Sequence, residues 1–312
     1  MIGYIITFLR NLSEIIARGK PIILKISGFI LTVITISFSF YCGRIIEIIY
    51  LANNDKNILI NLLMLFGIAS CLACKSLINS TKEIIFHIRN SNKDKNSLNK
   101  SRYLLSQIVS RDVDNLSTNE ILRSTAETLT ENSVDGIFAP LFWIIVGSFF
   151  LNSTPSLIGP LSLGFAYKSS STLDSMIGYK IDSLKSLGKF AARTEDIFTW
   201  VPCRIVLITL PLIKFQLKRY FSIIKNSIKF GDKYNSPNSG ISESIFAVVI
   251  GFQLGGENKY NNKVVLNPLI NPSAPLVQIN TIQLIADSIL QLIYFWILIY
   301  SILFFSLIFI TS

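Results

Sequence analysis

Long uncharged runs alternate with short polar and basic stretches along this chain. Ile26–Gly43 is uncharged and long enough to cross a bilayer core, which takes about 20 helical residues. Asn57–Cys74 is a second such run, and Ile289–Ile310 is a third near the C-terminal end. Gly136–Tyr167 carries no charge but contains Pro140, Pro155 and Pro160, and Asn152-Ser-Thr-Pro155 reads as a turn. Two spans of about 15 residues are each short for a bilayer. This stretch is therefore predicted to be a hairpin, re-entrant in form, that returns at Lys168. Val201–Ile213 is apolar but interrupted by Arg204, which predicts a broken or shallow helix. Ser244–Gly256 is too short to span alone. The expected fold is all-α: a polytopic integral membrane protein with polar cytoplasmic loops and broken or re-entrant helices. No fixed-period repeat divides it, so residues 1–312 are taken as one membrane-embedded domain.

The polar stretch Ser110–Pro140 departs most from this pattern. Ser117-Thr-Asn-Glu120 has the form of a capping box. A helix from there puts Glu120, Ser124, Glu127, Glu131 and Asp135 on one face, at steps of three or four. Leu122, Ala126 and Leu129 take the opposite face, with Ile121 and Thr128 at the border. Stacked carboxylates repel, so a solvated acidic face competes with a Mg²⁺ or amine site. The neighbouring membrane and a net charge of +10 favour the site.

Composition supports the membrane reading: 50% of residues are hydrophobic, 15% are charged, and mean hydropathy is +0.51. The basic excess collects in loops. Nine Lys and Arg lie between Lys75 and Arg123, whereas 44–56 offers only Arg44 and Lys56. By the positive-inside rule the N-terminus and the 75–135, 168–200 and 214–243 regions are cytoplasmic, and 44–56 is outside. No aromatic-interleaved basic stripe points to nucleic acid. Residues 1–25 are amphipathic and basic and carry no signal-peptide cleavage pattern. Cys71 and Cys74 have CxxC spacing but lie in an apolar run with no second pair, so they and Cys42 and Cys203 read as core thiols. The single histidine, His87, excludes a multi-histidine metal site.

Three further blocks carry candidate chemistry. Tyr167-Lys168 and Ser171–Lys180 form a loop in which Asp174 and Lys180 can serve Mg²⁺ and phosphate; an incidental charge pair explains them equally well. Gly188–Arg204 holds Arg193 and Asp196 at ion-pair spacing, and Arg204 needs a partner or an anion in its apolar context. Ser236-Pro-Asn238-Ser-Gly240, then Glu243, is a turn into an apolar helix whose start can hold an anion. Gly255-Gly256 is read as the end of that helix. No GxxxxGK[ST] loop is present.

SRD followed by AETLTENSVDGIFAPLFW, with these blocks in this order, resembles the CbiB/CobD family of membrane-bound adenosylcobinamide-phosphate synthases. The resemblance covers roughly 100–265 and extends weakly over the flanking apolar segments. It implies a bacterial inner-membrane ligase of adenosylcobalamin biosynthesis. Such an enzyme joins (R)-1-amino-2-propanol, or its O-phosphate, to adenosylcobyric acid with ATP and Mg²⁺. Other corrinoid-pathway membrane enzymes are the partners such a role suggests. Charge and position on the matched blocks assign catalysis to Glu127, Glu131 and Asp174, and metal binding to these three and Asp135. They assign substrate and phosphate to Arg111, Lys180, Arg193, Arg204, Ser236 and Asn238. The sequence departs from the family pattern at Ser171 and Thr199, where asparagine is usual. It also departs at Tyr234, where histidine is common, and at Gln253, where arginine is frequent. It begins at Met1-Ile-Gly-Tyr-Ile, which resembles the middle of the family's N-terminal region, without the upstream Asp-Pro and His-Pro segment. A non-catalytic sensor of the AmpE type and a transporter are the competing classes. The recognisable polar blocks weigh against the first, and the clustering of charge in loops weighs against the second.

Overall fold

The computed structural model describes residues 2–53, 57–91, 95–153, 158–178, 184–260 and 263–311. Four helices are long and apolar enough to cross a membrane: Pro21–Ala52, Thr118–Leu151, Lys189–Ile213 and Ile279–Ser306. The bent pair Ile58–Cys71 and Cys74–Asn90 makes a fifth if counted as one span. Ile22, Phe29 and Ile45 on the first of these, and Tyr294 and Phe305 on the last, are exposed. Such faces suit lipid rather than water. The chain is a multi-pass, helical membrane protein.

Several expectations change. Helix α1 is Ile2–Ala17, and α2 runs from Pro21 to Ala52, past the expected end at Gly43. Residues 44–52 are thus helix rather than loop, because Arg44 has an internal partner in Glu47. α6 (Thr118–Ser133) continues through a π-helical turn at Val134–Phe138 into α7 (Ala139–Ser153). Pro140 does not end this helix; the wide turn accommodates a residue lacking an N–H donor. The expected hairpin at 136–167 is therefore the end of one long span followed by a separate helix, α8 (Pro160–Ile177). Val201–Ile213 is not broken either. It is the second half of α10 (Lys189–Ile213), with Pro202 and Pro211 inside it.

Contacts divide the chain into two compact units, each assembled from two stretches. The first is Met1–Leu72 with Asp135–Val201. It contains α1, α2, α3 (Ile58–Cys71), α7, α8 and the short α9 (Leu184–Leu187). Here α2 and α7 approach the start of α8 at backbone distance. A Cβ on Gly43 would fall 2.7 Å from the Leu161 carbonyl oxygen, and one on Gly147 would fall 2.3 Å from that of Gly159. The N–H groups of Leu161 and Ser162 donate to Glu47 Oε1 at 2.7 and 2.8 Å. Glu47 thereby satisfies two donors that the first turn of α8 leaves open.

The second unit is Ala73–Val134 with Pro202–Ser312. It contains α4 (Cys74–Asn90), α5 (Lys95–Ser106), α6, α11 (Tyr220–Gly231), α12 (Ser239–Ile250) and α13 (Ile279–Thr311). The predicted capping box is present: Ser117 N and Oγ donate to Glu120 Oε2 at 2.7 and 2.6 Å. A two-stranded antiparallel hairpin, β1 (Leu254–Tyr260) and β2 (Lys263–Ile270), was not expected. α12 ends at Gly251, whose left-handed φ of +88° forms the cap. Gly255-Gly256 therefore does not end the helix. These glycines form the irregular start of β1, and a Cβ at Gly255 would meet the Pro268 carbonyl at 2.1 Å.

Candidate functional site

The acidic face of α6 points inward, within the second unit. Glu127 is only 3% exposed, which rules out a solvated face. Its Oε2 accepts from Arg111 Nη1 at 2.6 Å, and its Oε1 accepts from Gly255 N at 3.1 Å. Both glycines of the hairpin have a use here. Gly255 leaves room for the Pro268 carbonyl of β2, Gly256 for the Arg123 guanidinium of α6, and Arg123 donates to the carbonyls of Gly255 and Glu257. Arg111 Nη1 also reaches Ser124 Oγ at 3.2 Å and Asn258 Oδ1 at 2.7 Å. Its Nε and Nη2 have no hydrogen-bond partner among the described residues. The neighbouring Asp112 N donates to Lys259 O at 2.9 Å, so the Ser-Arg-Asp segment docks on β1.

Glu243 of α12 completes this cluster. It is 6% exposed. Burial first, then the charges of Glu127 and Glu131, push its carboxyl well above the usual range, and Arg111 only partly offsets them. Tyr234 lies beside Glu243 and donates to Pro268 O at 3.1 Å. Burial and the same carboxylates raise its phenol as well. Burial works against the Arg111 cation, but Glu127, with Tyr260 and Glu243 behind it, holds the guanidinium above its ordinary range. Three carboxylates thus face two guanidiniums. The two arginines both donate to Asn258 Oδ1. That orients the side-chain amide and leaves its buried Nδ2 without a partner among the described residues. An acceptor-bearing ligand would satisfy it.

The SPN turn is built by Arg204, which the apolar pattern left needing a partner. Its Nη1 donates to Asn238 Oδ1 at 2.6 Å and its Nη2 to Pro237 O at 2.8 Å. Ser236 Oγ accepts from the N–H groups of Asn238 and Ser239 at 3.2 and 3.4 Å. Two of the donors expected to hold an anion are therefore already engaged at this turn.

The remaining predicted residues belong to the first unit or lie outside the described residues. Lys180 is in the latter group. Asp174 is in the last turn of α8 rather than in a loop. Burial and then the charge of Asp196 push its carboxyl up to about 6. Arg193 is exposed on α10 and makes no ion pair among the described residues. Asp135 lies in the π-helical turn, where its carbonyl accepts from the buried Tyr167 hydroxyl at 3.1 Å. Tyr167 also meets Thr199 Oγ1 at 3.0 Å, and Thr199 donates to Glu195. Thr199 and Tyr234, two departures from the usual family pattern, both sit in these polar networks. Among the described residues, no three or more His, Cys, Asp or Glu side chains are placed to hold a metal ion.

The sequence reading missed Glu243's place in the cluster, Asn258 and the hairpin that carries it. The asparagines between Lys259-Tyr260 and Lys263-Val-Val are the sequence signal that could have separated these two strands.

No solved structure matches the chain. The cobalamin biosynthesis protein CobD of Synechocystis is 38% identical over 242 residues, which are 78% of this chain and 66% of that protein. The chain thus spans just under two thirds of that relative. CobD of Clostridium perfringens is 32% identical over 83% of this chain and 76% of its own length. The cobalamin biosynthesis protein CbiB of Salmonella typhimurium is 36% identical over 69% of this chain and 63% of its own length. The family described as CobD/Cbib protein matches residues 1–287. With most of its length matched, including the whole Arg111–Glu127–Glu243–Asn258 cluster, the chain belongs to the CobD/Cbib protein family.

Proposed function

We propose that the chain acts in cobalamin biosynthesis as an ATP-dependent ligase. It would join (R)-1-amino-2-propanol, or its O-phosphate, to the free propionate of adenosylcobyric acid. The observation that supports this reading best is the buried cluster on α6, α12 and β1. It combines an excess of carboxylate, a guanidinium with open donors and an unpartnered amide donor.

The chemistry requires two steps. A carboxylate oxygen of the corrinoid attacks the terminal phosphorus of ATP; ADP leaves, and an acyl phosphate forms. The amine nitrogen then attacks the acyl carbon, inorganic phosphate leaves, and the nitrogen gives up a proton. Arg111 Nε and Nη2 and Asn258 Nδ2 supply donors to phosphate oxygens. Glu243 is the proton acceptor. In the resting cluster its raised affinity holds a proton, and a cation arriving beside it favours release and leaves a base. Glu127 holds Arg111 in place and cannot serve both it and a metal fully.

The donor set does not form a closed protein cage for Mg²⁺. It fits the usual Mg²⁺ arrangement, in which one or two carboxylates share the ion with substrate phosphates and water. Glu131, beside Glu243, would hold the ion, and the crowding of carboxyl groups is the feature that favours it. When bound it screens phosphate charge against the corrinoid carboxylate.

The test is growth of a corrinoid-ligase-deficient bacterium supplied with adenosylcobyric acid, with and without this gene. Growth restored by the chain, and lost with Glu243→Gln at equal membrane abundance, is the expected outcome. Failure of the well-expressed chain to restore growth or to form the amide product in isolated membranes refutes the reading.

A further inference from the structure

Within the first unit, α1, α2, α3 and α8 line a half-open cavity of about 380 Å³. That is at the lower end of the ~300–1,000 Å³ typical of small-molecule pockets. Its walls are largely apolar, with Phe38 and Phe165 on two sides, but four polar groups face it: Ser39, Ser70, Lys168 and Thr172. The hydroxyls of Ser70 and Thr172 already donate to backbone carbonyls, at 2.7 Å each, and have only acceptor capacity left. Ser39 differs. It is 2% exposed, and its Oγ has no hydrogen-bond partner among the described residues. Lys168 pairs with no carboxylate among the described residues. An ammonium facing an apolar cavity, with a buried hydroxyl that keeps an unused proton among the same lining groups, is costly unless an anion meets both.

We propose that this cavity binds a small anionic amphiphile, a phosphate ester with an apolar tail. The phosphate accepts from Lys168 Nζ and Ser39 Oγ, and the tail lies against Phe38 and Phe165. Size excludes a whole two-chain lipid, so the source is either a soluble alkyl or aryl phosphate, or the head of a lipid that reaches in. The inference is independent of the ligase reading and uses none of its residues.

Cys42 also lines the cavity and serves as a reporter. The full chain in detergent is treated with a small thiol reagent, and alkylation of Cys42 and of Cys74 is followed by peptide mass spectrometry. Native mass spectrometry of the same samples counts bound probe. Octyl phosphate should bind saturably and slow alkylation of Cys42 but not of Cys74. Octanol and inorganic phosphate, tail and head alone, should bind at least roughly tenfold more weakly, as should octyl phosphate to Lys168→Met. Ser39→Ala should weaken it several-fold, and Lys168→Arg should restore binding and show that the site still folds. Competition by phosphatidylglycerol assigns the lipid source; lack of competition assigns the soluble one. Equal binding of octanol and octyl phosphate, or unchanged affinity in Lys168→Met, overturns the proposal.

Discussion

Glu47 and Glu127 are both buried glutamates, each paired with an arginine and each accepting backbone N–H groups, yet their surroundings differ. Glu47 has Arg44 at 3.1 Å and the two N–H groups at the start of α8. An arginine meets the carboxylate, and a helix start supplies the other donors. Glu127 has Arg111 and Gly255 N, but Glu131 and Glu243 share its neighbourhood. The first arrangement is complete in itself and fixes where α8 begins. The second crowds three carboxyl groups around two arginines, and includes an amide donor with no partner among the described residues. Closed pairs of this kind build the scaffold; surplus marks a place for a ligand. A buried carboxylate alone does not separate the two cases. The count of charges and donors around it does.

The largest expected effect follows from breaking the closed pair. Glu47→Ala removes the carboxylate that pairs with buried Arg44 and takes the acceptor from two N–H groups of α8. Losing one partner of a buried pair costs about 3–5 kcal/mol. The variant should be lost from membranes or melt far below wild type in detergent, before any question of activity arises. A midpoint within a degree or two of wild type would show that Glu47 is not the fixed point of the first unit.

The opposite signature is expected at Glu243. Glu243→Gln removes one of three crowded carboxylates and keeps the shape of the side chain. Its thermal midpoint should stay level or rise, while amide formation falls by about 10²-fold or more, the usual contribution of a general acid–base group. A stable variant with full activity would return Glu243 to a packing role.

Much of this contrast was legible in the chain. The capping box at Ser117 and the 3–4 spacing of Glu120, Glu127 and Glu131 described α6 correctly, because helix caps and faces are local properties. Glu120 proved to be spent on the cap, and Glu127 on Arg111. Glu47 went unremarked because its partners on α8 lie more than a hundred residues away, and an isolated charge near the end of an apolar run resembles a loop residue. Asn258 and Gly255 were missed for a similar reason. Their meaning depends on a hairpin folding back onto α6, and the glycine pair mimics a helix stop. Asp174 was placed in a loop because Ser171-Thr-Leu-Asp-Ser has low helix propensity, which packing of α8 against α2 overrides.

A smaller effect tests how the surplus cluster is held together. Arg123 donates to two hairpin carbonyls and to Asn258 Oδ1, so it ties β1 to α6. Arg123→Met keeps the apolar stem and deletes these bonds, a loss of about 2 kcal/mol. Amide hydrogen exchange should speed up in Leu254–Tyr260 and its partner strand, with α8 unchanged. Uniform exchange across both units would show that the hairpin does not depend on this clamp.

The smallest effect is a dependence of stability on pH, and it belongs to the first unit. Burial and the charge of Asp196 raise the Asp174 carboxyl from 3.8 to about 6 in the folded chain. Between those values the folded state binds a proton that the unfolded state has released. Stability contributed by this group is therefore full below about 3.8 and declines as pH rises through about 6. The direction is opposite to that of a carboxylate held by an ion pair, so it distinguishes Asp174 from a residue already resting on a bound cation. In the purified chain, thermal midpoints from about pH 4 to about pH 7 should fall more steeply in wild type than in Asp174→Asn. Adding Mg²⁺ offers a sharper discrimination. If the ion binds beside Asp174, it should flatten the wild-type slope, because a neighbouring cation lowers the carboxyl's proton affinity. A slope unmoved by Mg²⁺ but absent in Asp174→Asn would assign the raised affinity to burial and Asp196 alone, leaving Glu131 and Glu243 as the pair to test for the metal. Equal slopes in wild type and variant would mean that Asp174 is not the group that titrates.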